Sequence, residues 1–301
     1  MSTSTNDRTR GEVRRVNPVD VALGVACLVW VGMTLWSGIQ TGGKGLPVIP
    51  QTITSLALVV AVIGHMLKHL GVRLAAAYFV VATAIEWSFE QANISFGGFV
   101  WGDLRYGQLS MLGPHIGSVP LLVPIAMVAL LWPVYVIINV VLDGKILVDP
   151  RSLRPWQVVG RCLLYGMLHA WLAFLTNGFC TKFGVYEWVG KSGALPPQDS
   201  FFGDPALPIG WTVWGFVTTL IVSFVLIPAF GRDALTRSQT RPLAWVDAAP
   251  IVVIGSYAFA LYLNPVNESV GSVILFMFGF ISLLALYRFA AVLTAVPRTR
   301  D

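Results

Sequence analysis

Apolar runs of roughly 20 residues recur along this chain, at about 19–40, 51–70, 73–92, 119–141, 156–179, 211–230, 245–264 and 270–292. Each is long enough to cross a hydrocarbon core of about 30 Å as a helix. Inside a bilayer every backbone N–H and C=O must find its partner within the protein, which leaves helices or a closed barrel. Unbroken runs, without period-two alternation, select helices. The expected fold is therefore all-α: a polytopic integral membrane helical bundle with about eight transmembrane helices. With 55% hydrophobic and 12% charged residues the sequence cannot cover a soluble globule with polar surface.

Charge placement orients the bundle. Of the twenty lysines and arginines, only Lys44, Arg105, Lys182 and Lys191 fall on one set of connections. The other sixteen fall on the opposite set, which predicts that both termini are cytoplasmic and that the spans are even in number. The expected location is the cell inner (plasma) membrane. The net charge of +5 describes this rim and gives no reason to expect nucleic acid as a partner. The first run follows a polar arm and lacks a small-residue cleavage pattern, so it reads as a retained span. The domain expectation is a disordered cytoplasmic arm at 1–18, one transmembrane domain at 19–294 and a cytoplasmic tail at 295–301. A tight inner turn is expected near Gly71. Outer loops at about 93–118 and 180–210 cap the site, the second carrying Phe183, Tyr186, Trp188, Phe201 and Phe202 as a lid.

The segment from Glu86 to Pro120 carries the densest chemistry. Glu86 and Glu90 stand one helical turn apart and project from one face of the third span. Glu86 lies roughly 20 Å from the inner end of that span. Ionisable groups in a bilayer are costly and mark function by default. Two neighbouring carboxylates in a poorly solvated site do not both ionise, so one stays protonated at neutral pH and can donate. Trp87, Phe89, Phe96, Phe99, Trp101 and Tyr106 follow, and Trp211 and Trp214 enter the sixth span. Aromatic faces stabilise a cation by about 0.5–2 kcal/mol each. Single rings at these depths also serve as interfacial anchors; their concentration beside the acids is the informative part.

Other groups narrow the chemistry. His169 on the fifth span reaches nearly the depth of Glu86 and could relay a proton or simply pack. His65 and His69 form an HxxxH pair that reads as an interfacial helix end, because membrane di-iron sites need more than the four histidines present. No metal site is expected. Cys27, Cys162 and Cys180 offer neither a ligand spacing nor an obvious disulfide. Asp103, Asp199 and Asp204 do not form a DDxxD cluster for magnesium and a diphosphate, nor is there a DxDD motif. A carbocation made here would come from protonation of a double bond.

These residues resemble the membrane-bound carotenoid biosynthesis family typified by bisanhydrobacterioruberin hydratase, a carotenoid 1,2-hydratase of integral-membrane type. The matching positions are Glu90, Gly97, Trp101-Gly102, Tyr106, Leu112-Gly113-Pro114 and Val119-Pro120. A second set comprises Phe201-Phe202-Gly203-Asp204-Pro205 and Gly210-Trp211. The resemblance is that of a divergent member: Asn93-Ile94-Ser95-Phe96-Gly97 stands where the family has a Thr-Gly step, and the asparagine ahead of Gly–Trp is absent.

The resemblance implies addition of water across a terminal double bond of an acyclic carotenoid, without cofactor or metal. Glu90, assisted by Glu86, would supply the proton. Tyr106, Trp101 and Trp87 would flank the cation, and Asp204, Asp103 or Asn93 would position water. The substrate would be a hydrophobic isoprenoid entering from the lipid membrane. Two other readings share the residues. A membrane terpene cyclase would begin with the same protonation and let an internal alkene capture the cation. A transporter or lipid-binding protein would use the acids to bind a cation or carry protons, although transporters commonly show internal repeats. Oligomeric state is not readable from the chain.

Overall fold

A computed structural model describes residues 17–40, 48–98, 104–106, 114–182, 186–188, 206–240, 243–262 and 275–295. The helices are α1 (Pro18–Gln40), α2 (Val48–Leu70), α3 (Val72–Ser95), α4 (Leu122–Asp143), α5 (Pro155–Lys182) and α6 (Ala206–Thr219). A π-helical stretch, Leu220–Leu226, carries α6 on into α7 (Ile227–Phe230). The short polar α8 (Arg232–Thr240) follows, then α9 (Ala249–Tyr262) behind a 3-10 turn at Trp245–Ala248, and α10 (Phe280–Ala295) behind a π-helical turn.

Five of the described helical segments are long and apolar enough to cross a membrane: Pro18–Trp36, Val72–Ser95, Leu122–Asp143, Gly210–Phe230 and Met277–Ala295. Two shorter apolar helices cover Leu56–Leu70 and Trp245–Phe259. The chain is thus a predominantly helical membrane protein.

The helix α4 is apolar on every side and the most buried of these segments, as expected of a central helix. It touches α2, α3, α5, α9 and α10. Gly144 ends it in a left-handed cap (φ 66°) whose N–H donates to the Val140 carbonyl. The expected turn at Gly71 is present: with φ 79° and ψ 164° it occupies a region open to glycine, and α3 starts at the next residue.

The helix α6, with its π-helical continuation and α7, lies antiparallel to both α3 and α5. On the α3 side Leu74 meets Gly231 and Tyr78 faces Ser223. On the α5 side Tyr165 lies against Phe224, and His169 against Gly215 and Trp214. This second contact is a glycine crossing. A Cβ on Gly166 would run into the Thr212 carbonyl oxygen and stand 3.0 Å from the Phe216 nitrogen. A Cβ on Gly215 would stand 2.8 Å from the Gly166 Cα. Small residues let membrane helices approach to backbone contact, and here that closeness brings His169 onto α6.

An all-α expectation omits two short antiparallel ribbons. The strand β1 (Leu104–Tyr106) pairs with β4 (Tyr186–Trp188), matching Leu104 with Trp188 and Tyr106 with Tyr186. The two loops expected to cap the site therefore join through backbone hydrogen bonds. The strands β2 (His115–Ile116) and β3 (Val119–Pro120) form a hairpin around Gly117, whose φ is 64°. Residues 119–121, expected in the fourth span, belong to this hairpin and its exit.

Candidate active site

The buried face of α3 includes Leu74, Tyr78, Ala82, Glu86, Glu90 and Asn93, a helical stripe that turns polar toward the ribbon end. Glu86 is 1% exposed, Glu90 5% and Asn93 0%. Glu90 is thus no solvated helix end. Asn93, placed by sequence at the start of a loop, belongs to the helix, which runs on to Ser95.

The hairpin clamps the C-terminal end of this helix. The Trp87 indole donates to the Ile116 carbonyl at 2.9 Å, and the Ser118 N–H donates to the Gln91 side chain at 2.8 Å. A Cβ on Gly117 would strike the Gln91 amide, which explains the glycine. Trp87 was expected beside a cation; its indole N–H, at the ring edge, is committed to this anchor and fixes the ring in place. Phe96 was counted with the same rings but is 74% exposed at the helix end. Phe89 and Tyr106 are partly buried and pack on the core. Trp211 and Trp214 are buried, Trp214 completely. Trp101, Asp103, Asp199 and Asp204 lie outside the described residues, as does Phe99.

Register relates the acids to His169. Eight residues beyond Tyr78 along α3 is Glu86; eight residues before Ser223, back through the π-helical stretch into α6, is Gly215, which packs on His169. The first step advances about 12 Å and the second slightly less, because its first residues are π-helical. Glu86 and His169 therefore stand at about one level, on two flanks of α6. The His169 ring lies 4.1 Å from the Trp214 ring, centroid to centroid.

Around this level the buried polar atoms are unusually unsatisfied. One Glu86 carboxylate oxygen, both His169 ring nitrogens, the Trp214 N–H and the Thr218 and Thr219 hydroxyls have no hydrogen-bond partner among the described residues. Each such group in an apolar interior costs about 1–3 kcal/mol. The threonines were missed at the sequence level, although hydroxyls one turn from Trp214 in an apolar run were a readable signal.

A second cluster overturns an expectation. His65 and His69 are not an interfacial helix end: they are 0% and 6% exposed. Asp247, at the entry to α9, reaches them. His65 Nδ1 accepts a hydrogen bond from the Trp132 indole at 3.1 Å, since indole can only donate. Its proton therefore sits on Nε2, which donates to the Asp247 backbone carbonyl at 3.2 Å. His69 Nε2 lies 3.1 Å from the Asp247 carboxylate. Lys68 bridges Asp20 at 2.7 Å and Asp247 at 2.6 Å.

The His65, His69 and Asp247 ligand atoms lie within 4.8 Å of one another, close enough to suggest a metal. The hydrogen bonds argue otherwise. Both nitrogens of His65 are engaged, and the Lys68 ammonium already supplies the positive charge beside Asp247. The cluster fastens α1, α2, α4 and the start of α9 together. Sequence position misled here, because the carboxylate that covers the end of α2 comes from almost 180 positions away.

A family described as "Carotenoid biosynthesis protein" matches residues 51–285. The match takes in α2 through the start of α10, including both glutamates and His169. No curated protein matches the chain, and no solved structure does.

Proposed function

Since the chain belongs to the carotenoid biosynthesis protein family, we propose that it is a membrane enzyme that protonates a terminal carbon–carbon double bond of an acyclic carotenoid and hydrates the resulting tertiary cation. The observation that carries this reading is the pair Glu86 and Glu90, both buried on one face of an apolar helix long enough to span a membrane.

Two carboxylates at that spacing in a dry site share a proton, which leaves one neutral acid able to donate. Glu90 is the donor and Glu86 its partner. The O–H bond of the acid breaks as a C–H bond forms at the less substituted alkene carbon, and positive charge develops on the tertiary carbon. The face of Trp211 or Trp214 stabilises that charge. Asn93, on the same buried face as the acids, orients the end group. An apolar polyene reaches the site laterally from the bilayer, so only its terminus needs a polar environment. The termini lie in the cytoplasm and the acids in the outer half of the plasma membrane.

Expression in cells that accumulate acyclic carotenoids tests this reading. The wild-type chain should convert them to products heavier by one or two waters. Glu90→Gln, which keeps shape and hydrogen bonding but cannot donate this proton, should lower conversion by at least about 100-fold, the scale of general acid catalysis. Full conversion by Glu90→Gln would remove the donor assignment. A product of unchanged mass with a new ring would mark cyclisation instead.

A further inference from the structure

Hydration inside a membrane raises a question that protonation does not: where the water comes from. The unsatisfied atoms around α6 bear on it. Trp214 and Thr218 are one turn apart and both 0% exposed, so they share the buried face of α6. The His169 ring lies on Trp214, and by register Glu86 stands near the same level on the other flank of α6. His169 Nδ1 and Nε2, Trp214 Nε1, Thr218 Oγ1 and one Glu86 oxygen all lack partners among the described residues. Within about one turn of α6 they offer donors and acceptors in an apolar stretch of the bundle.

A hydrocarbon end group satisfies none of these atoms. Buried polar atoms of this kind are met by ordered water, which typically makes about three hydrogen bonds to such groups. A site meant only to cyclise a polyene gains nothing from a set of polar atoms that attracts water beside its cation.

We infer that His169, Trp214 and Thr218 form a binding site for the nucleophilic water, with His169 as its base. This rests on the hydration reading above. Thr218 and Trp214 hold the water, and one His169 nitrogen accepts a hydrogen bond from it. When the cation forms, the water oxygen bonds to the tertiary carbon and its proton passes to His169. Return of that proton to the carboxylate left by the donor restores both groups, so the net change is alkene plus water to tertiary alcohol. The neutral imidazole has a ring nitrogen unengaged among the described residues, so it can take this proton from the oxygen of the nascent oxonium, a far stronger acid than imidazolium.

Two measurements test the site. Membranes carrying the wild type, supplied with an acyclic carotenoid in deuterated water, should give hydrated product bearing one new C–D bond. His169→Phe should lose hydrated product by at least about 100-fold. It should still exchange deuterium into recovered substrate, because the donor acid is intact. Thr218→Val should fall about 5-fold to 10-fold, and His169→Gln, which can hold water but is a poor base, should bind the polyene normally and turn over slowly. Glu90→Gln should lose both hydration and exchange.

Hydration at the wild-type rate by His169→Phe would overturn the water site and leave the acid assignment standing. Loss of deuterium exchange in a folded His169→Phe protein would also overturn it, since His169 would then serve the protonation step. X-ray radiolytic labelling, which oxidises buried side chains beside bound water, gives a readout independent of activity. Trp214 should be labelled in the wild type and protected in His169→Phe. An unlabelled Trp214 in the wild type would overturn the inference whatever the substrate proves to be.

Discussion

Replacing Lys68 with methionine removes a cation that bridges two carboxylates at the end of α2. Its ammonium lies 2.7 Å from Asp20 and 2.6 Å from Asp247, and the Lys68 and Asp247 side chains are each 1% exposed. A single bridging cation brings the two carboxylates to roughly 5 Å, where they repel by about 3 kcal/mol at an effective dielectric near 20. Asp20, at 25% exposure, can turn to water and relieve part of this. Asp247 cannot turn away. It keeps only the Ala244 N–H at 2.8 Å and the His69 ring at 3.1 Å.

Removing one partner of a buried ion pair costs about 3–5 kcal/mol. We expect Lys68→Met to lie at the lower end, about 3 kcal/mol, because methionine preserves the stem's packing and Asp20 escapes. That is a large part of a total stability of about 5–15 kcal/mol. Thermal unfolding of detergent-solubilised protein, followed by tryptophan fluorescence, should show a markedly lower transition. The double variant Lys68→Met/Asp247→Asn should recover most of the loss, since it no longer buries an unpaired charge. A single variant that melts with the wild type, or a double variant weaker than the single, would refute the account.

Two further outcomes follow from the packing and the histidine hydrogen bonds. Gly166→Ala should destabilise the bundle by about 1–3 kcal/mol by overpacking the α5–α6 crossing, and should lower activity because the crossing sets His169 against Trp214; both are read from melting and from product formation. Chelators should leave the melting transition unchanged, and purified protein should carry no stoichiometric metal, because His65 has no free nitrogen; a chelator-induced drop in melting temperature would reverse that assignment.

The acids were legible before the fold was known because helical spacing alone puts Glu86 and Glu90 on one face. The level shared by Glu86 and His169 was legible for a similar reason, since rise per residue is nearly constant in helices that run the same way. The partners of His65 and His69 were not. A helix end looks exposed when read along the chain, and only packing brings Asp247 over it. The anchor of Trp87 was equally illegible: its indole N–H donates to the carbonyl of Ile116 in a hairpin that composition could not reveal.

What the chain determined by itself was the solvent and the secondary structure it permits. Long apolar runs with few charges belong in lipid, lipid leaves the backbone no partner but itself, and helices follow. Tertiary structure alone decided which helices cross at glycine, which distant charges share a lysine, and which loops meet through β1 and β4. Those outcomes depend on contacts between residues far apart in sequence. Local periodicity carries no record of them, because a helix shows which residues share a face but not what that face will meet.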